Sequence, residues 1–338
     1  MDLVIKPTER CNFNCEFCST PPKAETNDLP VEKVKQFLDR YPDTRTIIVN
    51  GGEPLMMEPE YYEEIMNYID EKKMDTTLCI MSNLALYRQN KEKWTPLFTR
   101  PNVSIGTSFQ YGNGRKDKDG VYSDDSHQYI STDIWQLTGR MPMFISVISE
   151  ENEDTAINNV KLAARMNTTC KLNPAMASGR QKKPYPLYKM YRIYLKLIEL
   201  GLDKHETNSA MLKDFKNGTS HCSLPYERQM CDKGIRCLGP RGEYHSCPAI
   251  ADDHYYDKKA DMKTYEINFN DDMDAKPQLP LASIELLSLK TECFSCSLYK
   301  LCNNCSKYVK DSKKIGSEFI EKHCKGMKEI QDKLEKYV

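Results

Sequence analysis

The sequence predicts an α/β protein: a partial (β/α)6 barrel of the TIM type over residues 1–205, then a small cysteine-rich domain over residues 206–338 that closes with a helix. Three observations carry this. Short β-branched runs alternate with longer amphipathic ones up to about residue 205, the pattern of βα units around a parallel sheet. Six such units fall short of the eight of a closed barrel, so the barrel is expected to be partial. The alternation then stops, and nine of the fourteen cysteines fall from Cys222 onward.

The expected strands are residues 3–6, 45–49, 77–81, 102–107, 143–148 and 169–172. Between them, apolar residues recur at helical spacing over 31–40, 61–72, 91–98, 155–165 and 185–200. The segment 111–125, rich in Gly, Lys and Asp, reads as a long mobile loop after the fourth strand. Beyond residue 205, cysteines, glycines and short polar segments replace apolar periodicity, so this region is expected to fold around metal.

Composition narrows the partners. Hydrophobic residues make up 39% and charged residues 29%, which suits a soluble globular protein. A net charge of −1 gives no electrostatic reason for a nucleic-acid or membrane partner. No stretch approaches the ~20 apolar residues of a membrane helix, and the first residues lack the pattern of a secretory signal. Fourteen cysteines without an export signal point to metal ligation in a reducing, cytoplasmic setting rather than to disulfides.

The chemistry starts at the C-terminal end of the first strand, where Cys11, Cys15 and Cys18 are spaced C-x3-C-x2-C. Thiolates suit iron–sulfur clusters, zinc or copper. Three of them on one loop hold three corners of a four-iron cluster and leave one iron open for chemistry. A closed structural site would want a fourth ligand nearby, and the next cysteine is Cys79. The segment Asn50-Gly51-Gly52-Glu53-Pro54 follows the second strand and falls at the same end of the sheet.

These motifs, in this order, resemble those of the radical S-adenosylmethionine (SAM) enzymes. Phe17 stands where the family has an aromatic before the last loop cysteine, and Gly51 to Pro54 is similar to the family's GGEP motif. The resemblance implies a [4Fe–4S] cluster on Cys11, Cys15 and Cys18, chelated by SAM at its open iron. It implies SAM contacts from Phe17, Gly51, Gly52, Glu53, Pro54, Ser82, Asn83, Ser108 and Gln110. The family often has Asp where Gln110 stands. Pro174 through Gly179-Arg180 is similar to a segment near the adenine. The later cysteines, Cys231, Cys237, Gly242-x4-Cys247, Cys293-x2-Cys296-x5-Cys302-x2-Cys305 and Cys324, resemble the SPASM extension with its two auxiliary [4Fe–4S] clusters. Carried over by position, Cys231, Cys237, Cys247 and Cys305 would hold one, and Cys293, Cys296, Cys302 and Cys324 the other. Cys302-x2-Cys305 is one residue shorter than the usual x3 spacing.

The resemblance implies an enzyme that cleaves SAM reductively and abstracts a hydrogen from a ribosomal peptide substrate, oxidising or crosslinking it. Its electrons would come from a donor such as flavodoxin or ferredoxin. With ten residues ahead of Cys11, no separate leader-binding domain is expected. Competing readings are oxidation of a protein side chain, dehydrogenation of a small alcohol, and a non-enzymatic electron-transfer protein. Pro248 stands where the sulfatase-maturating branch has a proton-accepting Asp, which counts against that branch. A zinc site remains the alternative for each cysteine group. Cys79, Cys170 and Cys222 read as incidental thiols, and His221, His245 and His254 as surface residues or ligands with equal weight.

Overall fold

The computed structural model describes residues 1–20, 26–112, 114–117, 120–217, 234–245, 247–249, 291–302 and 305–338. In chain order the elements are β1 (Asp2–Ile5), α1 (Val31–Arg40), β2 (Thr46–Val49), α2 (Pro59–Glu71), β3 (Thr77–Ser82), α3 (Ala85–Gln89), α4 (Lys91–Phe98), β4 (Val103–Ser108), β5 (Lys116–Asp117), β6 (Gly120–Val121), α5 (Asp124–Thr138), β7 (Phe144–Ile148), α6 (Ala156–Arg165), β8 (Cys170–Pro174), α7 (Leu187–Glu199) and α8 (Thr207–Lys213). The C-terminal part adds β9 (Ile235–Leu238), β10 (Tyr244–His245), α9 (Tyr299–Cys302), α10 (Ser306–Ile315), α11 (Ser317–Lys328) and α12 (Gln331–Leu334). Cys222, Cys231, His221 and His254 lie outside the described residues. Among the described residues, no helix is long and apolar enough to cross a membrane.

One sheet of order β10-β9-β1-β2-β3-β4-β7-β8 organises the chain. The six expected strands are β1 to β4, β7 and β8, and each pairs in parallel with its neighbour, as Leu3 with Ile47 and Ile47 with Leu78. The resulting mixed α/β half-barrel is the expected fold class. Alternation along the strands separates its two faces. Leu3 and Ile5 belong to the main core, whereas Val4 points the other way and packs with Cys237, Ile48 and Ile235. The helices follow from their apolar stripes: Val34, Phe37 and Leu38 on α1, and Tyr62, Ile65, Met66 and Ile69 on α2, are all buried.

Three features were not expected. β9, from the C-terminal side of the boundary at 205, joins the free edge of β1 in parallel, with Cys237 opposite Val4. β10 returns antiparallel to β9 and puts His245 opposite Cys237, fully buried. Third, the 111–125 segment contains the short β5–β6 hairpin and the start of α5, a helix absent from the sequence reading. Ser123 Oγ caps α5 by accepting from Ser126 N at 3.2 Å, and Gly139 ends it at φ 72°.

Candidate functional site

The loops at the C-terminal ends of the strands converge on a cavity of about 440 Å³, within the range of small-molecule sites. Cys11, Cys15, Phe17 and Cys18 reach it from the loop after β1, and Gly51, Gly52 and Glu53 from the turn after β2. Asn83, Ser108 and Arg115 come from beyond β3 and β4. Met190, Tyr191 and Tyr194 of α7, with Tyr308 of α10, close the opposite wall, which also carries Cys247 and Cys305. Pro54, Ser82 and Gln110 do not line the cavity and stand buried behind it.

The cysteine loop is held on three sides. From β2, Gly52 N donates to Thr8 O at 3.1 Å and Glu53 N to Arg10 O at 2.7 Å. A Cβ on Gly52 would stand 2.2 Å from Arg10 O, so only glycine lets these two segments meet. The bare backbone at this position therefore serves the cysteine loop itself, not only a bound ligand. From the β5–β6 hairpin, Gly114 O accepts from Glu16 N at 2.8 Å and Lys116 O from Asn14 N at 2.9 Å, so the expected mobile loop is tied down over its described residues. From the segment after β8, Arg180 donates through Nη1 to Cys15 O at 2.7 Å and to Asn14 O at 3.2 Å, while its N donates to Cys18 O at 3.1 Å. Gly179, at φ 59°, would place a Cβ 2.5 Å from Cys18 O. The segment assigned to adenine thus also clamps the cysteines.

Glu53 is buried and accepts from Leu55 N at 3.0 Å, Ser82 Oγ at 2.5 Å and Asn83 N at 2.9 Å. Burial raises its pKa, against these bonds and the charge of Arg115. Three of about four lone-pair sites on the carboxylate are filled, and Glu53 is one of the residues that line the cavity. Arg115 is the residue sequence reasoning missed. It is buried, its guanidinium lies 5.2 Å from the centroid of Phe17, and Nη2 donates to Gln110 Oε1 at 3.3 Å. Arg115 Nε and Gln110 Nε2 are buried donors with no partner among the described residues. Orphan donors beside a cavity fit a ligand that brings acceptors.

The thiols are also grouped in a telling way. Burial, the charge of Glu53 and the neighbouring Cys18 and Cys15 push the Cys11 thiol up to about 12, against one bond from Phe13 N. Thiolates crowded beside a buried carboxylate repel one another and require a positive partner, which a metal centre supplies. A second cavity of about 260 Å³ is lined by Cys293, Cys296, Cys302 and Cys324. Burial first, then Cys296, Cys324 and Cys293, push Cys302 upward. Cys237 lines neither cavity, so of the described members of the group 231, 237, 247 and 305 it is Cys247 and Cys305 that line the central cavity. Cys170 is buried within β8, and Cys79 lies on β3.

Comparison with known proteins bears on this arrangement. Residues 5–125 match the model of the radical SAM superfamily. This stretch is a radical SAM domain. The family uses SAM and a [4Fe–4S] cluster. Among curated proteins the chain is similar to the GTP 3′,8-cyclase of Campylobacter lari, 33% identical over 112 residues, which are 31% of this chain and 34% of the cyclase. The chain thus spans about a third of the length of the curated relatives it matches. Among solved structures it is similar in fold to anSMEcpe with bound AdoMet, at TM-score 0.67 and 17% identity over 98% of this chain and 97% of that one. It is also similar to Streptococcus suis SuiB bound to precursor peptide SuiA, at TM-score 0.60 and 14% identity over 90% and 71%. At these identities the two structures establish the fold beyond the radical SAM domain, and nothing finer.

Proposed function

We propose that this chain is a radical SAM enzyme of the SPASM type that oxidises or crosslinks a ribosomally made peptide. The observation that carries the reading is the single cavity shared by Cys11, Cys15, Cys18, Gly51 to Glu53 and the buried Arg115. When bound, the [4Fe–4S] cluster supplies the electron that splits SAM, releasing a 5′-deoxyadenosyl radical that takes a hydrogen atom from the substrate. The residues of the chain bind and shield. Cys11, Cys15 and Cys18 would hold the cluster, and Glu53 would accept from the SAM ammonium. Arg115 offers a buried cation for a carboxylate. Tyr191, Tyr194 and Met190 keep water from the reacting atoms.

The auxiliary sites complete the reading. Cys293, Cys296, Cys302 and Cys324 would seat one further [4Fe–4S] cluster, and Cys247 and Cys305 would supply two ligands of another beside the central cavity; of the other two ligands the resemblance implies, Cys231 lies outside the described residues and Cys237 lines neither cavity. Among the described residues no three His, Cys, Asp or Glu side chains converge as ligands of one metal ion. Thiolates on one zinc stand about 4 Å apart, at Zn–S ≈ 2.3 Å, whereas a cubane holds its ligands at separate corners.

A peptide is favoured by a wide groove of about 1150 Å³ that meets the cavity at Phe17 and Ala175. Its lips carry Glu150, Glu151 and Asp154 from the β7–α6 turn and Lys182 and Lys183 from the β8–α7 segment, room and charge enough for an extended chain. SuiB with its precursor peptide and anSMEcpe with a peptide show that this fold takes such a ligand. An electron-transfer protein has no use for the buried Glu53 carboxylate and the unmet Arg115 donor beside a cavity, and Pro248 supplies no carboxylate for side-chain oxidation of the sulfatase-maturating kind. Reduction in the cytoplasm would come from flavodoxin or ferredoxin. Co-expression with any short open reading frame found beside the gene tests the substrate. A loss of about 2 Da is expected from hydrogen abstraction and oxidation, and an unmodified peptide from active enzyme would contradict it.

A further inference from the structure

Helix α11 turns one face to the four-cysteine cavity. Ile320, His323, Cys324 and Met327, at i, i+3, i+4 and i+7, all line it. Ile320 and Met327 are core residues and Cys324 is one of the thiols, so three of the four positions are accounted for. His323 is not. Its Nδ1 is buried and has no hydrogen-bond partner among the described residues, an arrangement that ordinarily costs a folded protein stability. Tyr188 of α7 and Tyr308 of α10 hold the ring in place, with centroids at 6.3 and 6.0 Å and tilts of 57° and 58°. An acceptor in the cavity would meet that orphan nitrogen.

We propose that His323 donates Nδ1–H to a sulfur atom of the cluster held by Cys293, Cys296, Cys302 and Cys324, and thereby raises the reduction potential of that site. The inference rests on the cluster reading of these cysteines given above. A neutral imidazole carries one N–H, and its tautomer follows what each nitrogen faces. Thiolate and sulfide sulfur accept and do not donate, so the proton belongs on Nδ1. A donor to the sulfurs stabilises the reduced, more negative state, which is one of the levers that sets iron–sulfur potentials. Tyr308 lines both this cavity and the central one, so the tuned site adjoins the central cavity. His323 is thus a tuning residue rather than a ligand, and it suits this site to receive electrons.

The test is an EPR-monitored redox titration of the reconstituted protein carrying Cys15→Ala, which removes the loop cluster, compared with the same protein carrying His323→Phe or His323→Gln. With Phe, the potential of one auxiliary signal is expected to fall by a tenfold or greater change in its one-electron equilibrium, ~59 mV, while the other stays. Gln keeps an N–H and is expected to restore more than half of the change. Potentials that do not move with Phe, or Gln behaving as Phe does, would overturn the proposal. If the Phe variant loses iron, pulsed EPR on the protein labelled with ¹⁵N-histidine decides: a weak through-hydrogen-bond coupling upholds it, and no coupling, or that of a directly bound nitrogen, rejects it. Absence of any auxiliary signal in the Cys15→Ala parent removes the cluster reading itself, an outcome distinct from an unshifted potential.

Discussion

Arg115 is buried between Phe17 and Glu53, with one donor nitrogen unmet, in a segment whose sequence is dominated by Gly, Lys and Asp. Nothing local distinguishes it from the lysines around it, because its role comes from strands that pair far away in sequence. Gly52 is the converse: the motif was legible, but the 2.2 Å approach of Arg10 O that demands glycine was not. Replacing Arg115 by Met should weaken SAM binding by roughly tenfold to a hundredfold, since a charge-assisted bond is worth ~1.5–3 kcal/mol. Calorimetric titration of the reconstituted protein checks this, and unchanged affinity would remove Arg115 from the site. His127 carries a pH prediction. Burial, then the charge of Arg115, lowers it from 6.5 to about 3, against the aromatic rings of Phe109 and Phe144 at 4.7 and 5.0 Å. The folded value is depressed, so the unfolded chain binds the extra proton between these limits. Stability is therefore full above about pH 6.5 and falls as pH drops toward 3. Urea unfolding should show about 2 kcal/mol of this loss between pH 6.5 and 5, and His127→Phe should abolish that share of the slope.

At the scale of elements, the six parallel strands and the five helical stripes were readable because each repeats its own period. α5 was passed over, although Ser123, Gly139 and the spacing of Ile130 and Ile134 offered caps and a stripe. β9 had no such signal: its four residues gain their place by pairing with β1 and β10. Helix α10 shows how the C-terminal part is fastened to the barrel. Lys307 and Asp311, each 2% exposed, form an i, i+4 pair at 2.5 Å, and Lys307 Nζ donates to Ala177 O at 3.1 Å. The next residue, Tyr308, accepts from Leu187 N through its hydroxyl at 2.9 Å. Asp311→Ala would leave a buried ammonium without its carboxylate and is expected to cost about 3–5 kcal/mol. Lys307→Met with Asp311→Leu should lie close to wild type in chemical denaturation. A single variant as stable as the double would show that the pair contributes nothing to this junction.

Across the whole molecule, the sheet carries the cysteine loop, the glycine turn and Arg115 to one end, and the C-terminal segments gather a second set of thiols around a second cavity that shares Tyr308 with the first. The order of the cysteines along the chain was sufficient to expect both sets. Which of them line one cavity depended on tertiary packing, which brings Cys247 and Cys305 to the cavity of Cys11, Cys15 and Cys18 and leaves Cys237 in β9. A fully assembled protein should contain about 12 Fe per chain, three cubane clusters of the cysteine-ligated kind. The central claim is that the loop thiols and the cavity beside them split SAM. The direct measurement is 5′-deoxyadenosine formed from SAM by the reduced, reconstituted protein, beside the same protein carrying Cys15→Ala. Formation by the first and none by the second is the predicted result; no 5′-deoxyadenosine from iron-replete wild type, or equal amounts from both, would contradict it.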